Sequence, residues 1–237
     1  TAQVQNLNDS GPGSLRQAIL SASPGDTITF CPGLSGTLTL TSGVLTLFQK
    51  VTIQGPGSGV ITISGNNVTV VFTLNPGVTA TISGLTIAQG SGTTGGGISG
   101  NGDLTLSDCV FENNVASNQG GAIDIGLLTA TNCTFNNNTT TFGGGAITTG
   151  NATLTNCAFN NNTATASTGS GGAITGSVAL TLSNCSFTSN SATTFGGALE
   201  NDGTATLTNC DFTSNSVSSS SGQGGAIINA GTLLTLN

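Results

Sequence analysis

The stretch Asp108-Cys109-Val110-Phe111-Glu112-Asn113-Asn114 sets a pattern that returns four more times. It recurs as Asn132-Cys133 with Phe135 and Asn138, and as Asn156-Cys157 with Phe159 and Asn162. The last two copies are Asn184-Cys185 with Phe187 and Asn190, and Asn209-Cys210 with Phe212 and Asn215. Successive cysteines lie 24, 24, 28 and 25 residues apart. A near-constant period of this size marks a solenoid, because each repeat is too small to bury its own apolar face and must stack on its neighbours.

A second phrase keeps the same period in a different phase. It reads Gly-Gly-Ala/Gly-Ile/Leu and ends at Ile98, Ile123, Ile147, Ile174, Leu199 and Ile227. Insertions such as residues 167–170 and 218–222 fall just before it. Length variation confined to one point of the period predicts loops on one side of the solenoid.

Within a repeat, Leu104 and Leu106 alternate with Thr105 and Ser107, so the leucines share one face. Cys109 and Phe111 continue inward with the parity shifted by one, which predicts a corner at Asp108. Each period then holds three short strands and three corners, with coils about 4.8 Å apart. The expected fold is all-β: a right-handed parallel β-helix of about eight coils, right-handed because parallel crossovers nearly always are. A single domain is expected over residues 1–237. Residues 1–30 supply an N-terminal strand and capping helix, 31–90 irregular first coils, and 91–237 the regular repeats. The capping helix is read from Ser14 as N-cap, with Leu15, Ala18, Ile19 and Ala22 on one face.

Stacking puts equivalent residues above one another. Cys109, Cys133, Cys157, Cys185 and Cys210 are expected as small apolar residues in the core, and Phe111, Phe135, Phe159, Phe187 and Phe212 as an aromatic stack. Asn114, Asn138, Asn162, Asn190 and Asn215 are expected to form one internal amide ladder, and Asp108, Asn132, Asn156, Asn184 and Asn209 a second. Disulfides do not suit the column, since neighbouring rungs hold Cβ atoms about 4.8 Å apart and a disulfide wants roughly 3.5–4.5 Å. With no histidine and no C-x-x-C pair, no metal site or cofactor is expected.

Composition narrows the function. Charged residues make up 5% of the chain, only Arg16 and Lys50 are basic, and the net charge is -7. That excludes the basic clusters which nucleic acid and anionic membranes require. No apolar run is long enough to span a bilayer. Methionine is absent, so Thr1 reads as the start of a mature form after removal of a secretion signal, with an extracellular or cell-surface location.

The Gly-Gly-Ala-Ile and Phe-x-x-Asn phrases resemble the repeats of the polymorphic outer-membrane protein family of bacterial surface adhesins and autotransporter passengers. Residues 13–19 with Asp26-Thr27-Ile28 resemble the opening of secreted β-helix proteins of that kind. The resemblance implies secretion, a cell-surface setting and non-enzymatic adhesive or structural roles, with a host or neighbouring-cell surface as partner.

The leading expectation is a structural or adhesive protein that is not an enzyme and assembles head to tail. Ala2, Val4 and Leu7 would dock as an added strand against Leu233, Leu234 and Leu236 of the next copy. A monomeric adhesin or passenger fragment is the alternative. Two further readings are less favoured. Outward pairs from Thr81/Ser83 to Thr206/Thr208 form a hydroxyl ladder of the kind an ice binder presents. A polysaccharide lyase is set aside because the acids are scattered, with Asp103, Asp108 and Glu112 as the only local group.

Overall fold

Alternation within each repeat sets the first face of the coil. In Asp103–Ser107, Leu104 and Leu106 are buried while Asp103 and Thr105 face solvent. The computed structural model describes residues 2–237; Thr1, the expected processed terminus, lies outside the described residues. The chain winds through three parallel sheets. Sheet A holds 15 strands and receives two segments of each coil, which fuse into one strand in Ile123–Thr131, Ile147–Thr155 and Ile174–Ser183. Sheet B holds eight strands, five of which carry the stacked phenylalanines, and sheet C six short ones. The result is a right-handed parallel β-solenoid of about nine turns. The count exceeds the expected eight because Ala2–Val4 and Asp26–Phe30, read as a lead-in, are themselves rungs in register with Val51–Gln54.

All three corners of the regular coils use left-handed backbone. The first is the residue before cysteine, with φ between 52° and 55° at Asp108, Asn132, Asn156, Asn184 and Asn209. The second is the residue before the ladder asparagine: Asn113, Asn137, Asn161, Ser189 and Ser214, at 54° to 56°. Asn tolerates this region better than most residues, which suits it to both positions. The third is the first glycine of the Gly-Gly phrase; at Gly144, φ is 66° and a Cβ would lie 2.1 Å from the Ile147 carbonyl oxygen. Only glycine fits there.

The core column is continuous. Stacked rings run Phe111, Phe135, Phe159, Phe187, Phe212, with centroids 5.0, 4.8, 4.7 and 4.6 Å apart and planes within 10° of parallel. Asn114, Asn138, Asn162 and Asn190 are fully buried beside them. The second amide ladder differs from expectation. Asp108, Asn132, Asn156, Asn184 and Asn209 are exposed, and their side chains bond rung to rung on the outside at 2.7 to 3.3 Å. Left-handed backbone at this corner turns their side chains outward while the cysteine after them turns in. All six cysteines are free; Cys109, Cys133, Cys157 and Cys185 are buried, Cys31 and Cys210 partly so.

The N-terminal end is closed by the helix Leu15–Ser21, capped by Ser14 and burying Leu15, Ala18 and Ile19. Arg16 fastens it. Its guanidinium pairs with Asp9 at 2.6 Å and donates to the carbonyls of Gly43 and Val44. The expected free docking strand at the N-terminus is not free. Ala2–Val4 pairs with Ile28 to Phe30 of its own chain, Val4 is buried, and Ala2 and Leu7 pack against the core. Period-2 burial of Val4 under the helix makes the segment an internal rung. In the last coil, Leu233 and Leu236 are 55% and 63% exposed, and Leu234 is partly buried.

Candidate functional site

The residue that follows each Gly-Gly-x-Ile/Leu phrase points out of sheet A. Register aligns these residues into one column: Ser99, Asp124, Thr148, Thr175, Glu200 and Ile228. Two of the six are acids. Beside the column lies a groove of about 420 Å³, drawn from successive coils. Thr94 and Gln119 line it from the sheet C side; Asn101, Gly126, Gly150 and Ser177 line it from the opposite corner.

Glycine opens that corner. A Cβ at Gly126 would meet nothing within 4 Å, and its φ is not left-handed. Neither backbone conformation nor packing therefore demands glycine here, and its effect is to leave the groove wide.

Asp124 is the acid of this groove. Burial pushes its carboxyl up, while a hydrogen bond with Thr94 works against the shift. Glu200 behaves alike: burial raises it first, helped by the charge of Asp202, and opposed by hydrogen bonds from Ser170 and Thr175. Glu200 lines a neighbouring pocket of about 280 Å³ with Phe195 and Gln223. Asp124 and Glu200 are three rungs apart, roughly 14 Å at 4.8 Å per rung. Paired glycosidase carboxylates sit about 5–9.5 Å apart, so these two acids do not form such a pair.

The residues singled out in sequence lie elsewhere. Asp103, Asp108 and Glu112 do not converge: Asp103 faces out of sheet A, Asp108 sits on the exposed corner and Glu112 on sheet B. Outward threonines do align. Thr27, Thr52, Thr81, Thr105, Thr129, Thr153, Thr181, Thr206 and Thr235 occupy one column of sheet A. The thiols of Cys109, Cys133, Cys157 and Cys185 form a buried column. Contacts between neighbouring sulfurs push Cys133 up and Cys157 down, and raise Cys185 to about 11. Each of these thiols also lies within hydrogen-bond reach of a backbone carbonyl two residues back, as Cys133 is of Thr131. No basic residue lines the column, and no group of three or more candidate metal ligands occurs among the described residues.

Asp124, Gly126 and Glu200 escaped the sequence reading, which followed the Cys-Phe phrase. Aligning the residue after each Gly-Gly-x-Ile/Leu phrase exposes the two acids in a column that otherwise holds Ser99, Thr148, Thr175 and Ile228.

Comparison with known proteins agrees with the architecture. The model of the right-handed β-helix region matches residues 36–212. No curated protein matches the sequence. Among solved structures, a PL6 family alginate lyase, AlyGC, aligns over 100% of this chain with a TM-score of 0.50 and 12% identity. This chain spans 39% of the length of that enzyme, and the likeness is one of fold. It nevertheless overturns the expectation that the protein is not an enzyme. That expectation rested on scattered acids, and a polysaccharide lyase is built on the same coil. With the family match spanning well over half its length, the chain belongs to the right-handed β-helix family.

Proposed function

We propose that the protein is an extracellular surface adhesin that holds an extended polysaccharide along the groove beside Asp124. The observation that carries this reading is the groove itself: a polar channel supplied by successive coils, with hydroxyls, amides and one half-buried acid facing a floor left open by Gly126. Rungs repeat every 4.8 Å or so, close to the length of one sugar ring, so each rung meets about one sugar. Single hydrogen bonds contribute only about 1 kcal/mol net, and a repeating polymer adds them along the axis. The repeat phrases support placement with the polymorphic outer-membrane type of surface protein, which accords with secretion to the cell surface. Among the described residues no helix is long and apolar enough to cross a membrane, a statement that leaves β-barrels untouched.

Affinity electrophoresis through gels containing soluble polysaccharides tests the reading. Retarded migration is expected for the native protein and not for Gly126→Val, which fills the groove without touching the core. Shortening of the polymer in the same gels adds turnover to binding. Equal mobility in all gels contradicts the proposal.

A further inference from the structure

We infer that the groove selects an uncharged glycan and rejects uronate polymers. The inference rests on the proposed polysaccharide-binding role and names the class of polymer.

The groove has one charged lining residue, Asp124, and no Lys, Arg or His among those that line it. Arg16 is engaged at the capping helix with Asp9, and Lys50 precedes a strand of the early coils. The chain carries a net charge of -7, so its long-range field also repels anions. A polymer with a carboxylate on every sugar would bring like charges against a half-buried acid, with no cation to offset them. Recognition of carboxylates uses Arg or Lys, and neither is available here.

What Asp124 offers is acceptance. An ionised carboxylate accepts hydrogen bonds through two oxygens and donates none. The hydroxyls of a neutral sugar are donors that can satisfy both oxygens. Ser99 and Thr148, directly below and above Asp124 in the column, can donate or accept. Asn101 and Gln119 add amides on either side. This mixture of one strong acceptor with two-way groups suits a diol-rich ligand. Glu200, three rungs on in the same column, lines a separate pocket and already accepts from Ser170 and Thr175, so Asp124 is the groove's own charged acceptor.

The test compares neutral probes, hydroxyethyl cellulose and galactomannan, with acidic ones, alginate and polygalacturonate. Affinity electrophoresis is run on the native protein, Asp124→Asn and Gly126→Val, with melting temperatures measured on each. The native protein is expected to be retarded by a neutral polymer and not by the acidic pair. Asp124→Asn should weaken that binding by about tenfold, the loss of one charge-assisted hydrogen bond, without a fall in melting temperature. Preference for alginate or polygalacturonate overturns this inference and leaves the groove as a polysaccharide site. Neutral binding that neither substitution weakens overturns it too, by placing the contact elsewhere. Binding to none of the four overturns both this inference and the proposed function.

Discussion

The side-chain amide of Asn138 donates to the Oδ1 of Asn162, one coil on, at 3.0 Å. Its second N–H donates to the carbonyl of Phe111 at 3.0 Å, and Oδ1 of Asn162 also accepts the backbone N–H of Asn138. The same set of bonds repeats at Asn114 and Asn190. No buried side-chain nitrogen or oxygen among the described residues lacks a partner. The ladder lets a corner turn inside an apolar bore without stranding polar groups.

Asn162→Ala removes one rung of that ladder. It strands the amide and backbone N–H of Asn138 and leaves the Phe135 carbonyl and the Asn190 Oδ1 short of a donor. The expected cost is about 3–5 kcal/mol, from several lost bonds and unsatisfied groups at 1–3 kcal/mol each. The neighbouring Asn161→Ala affects only a left-handed exposed corner and should cost about 1–2 kcal/mol. Urea denaturation of the two variants checks the order; equal losses would mean that the ladder adds nothing beyond its turn.

Phe159 lies between two parallel rings, at 4.8 and 4.7 Å. Phe159→Ala should destabilise by about 3–5 kcal/mol through the cavity it leaves. Phe159→Leu retains most of the volume and should lose markedly less. Denaturation midpoints compared at constant slope distinguish these outcomes.

Thiol accessibility follows the coil. Cys31 and Cys210 should react with an alkylating reagent in the native protein, while Cys109, Cys133, Cys157 and Cys185 should react only after unfolding. Mass spectrometry before and after denaturation reads this directly. Rapid native labelling of Cys157 would show that the core column opens.

The pH dependence of stability has two opposed parts. Burial opposes ionisation of Asp9, but hydrogen bonds from Arg16 and Ser42 and the Arg16 charge outweigh it and hold the carboxyl at about 2, against an ordinary 3.8. Its stabilisation is complete above the ordinary value and is lost as pH falls through about 2. Asp124 and Glu200 are raised by burial, so the folded state binds their protons more tightly. Their contribution declines as pH rises from the ordinary carboxylate values through the raised ones. Glu200→Gln should therefore raise the melting temperature at neutral pH and give no gain in acid. Asp9→Asn should lower it at neutral pH and lose that effect in strong acid.

The solenoid was legible because its signals are periodic. The leucine alternation before Asp108 and the parity shift at Cys109 mark a corner, and Asp108 is left-handed there. Three features were less legible. Asn132 and Asn138 look equivalent in sequence, yet one is outside and the other inside, because the left-handed residue reverses the direction of the next side chain. The groove depends on Gly126, whose lack of contacts is invisible without neighbouring coils. The N-terminal segment Ala2–Val4 reads as a free arm until Asp26–Phe30 is seen to pair with it.

The central claim is that a polymer lies along the groove beside Asp124. Hydrogen exchange of the backbone amides, with and without a saturating neutral glycan, tests it most directly. The account expects slowed exchange concentrated at residues 99–101, 124–127 and 148–151, with sheet B unchanged. Protection centred on the threonine column or on sheet B, with the groove amides unaffected, would contradict it.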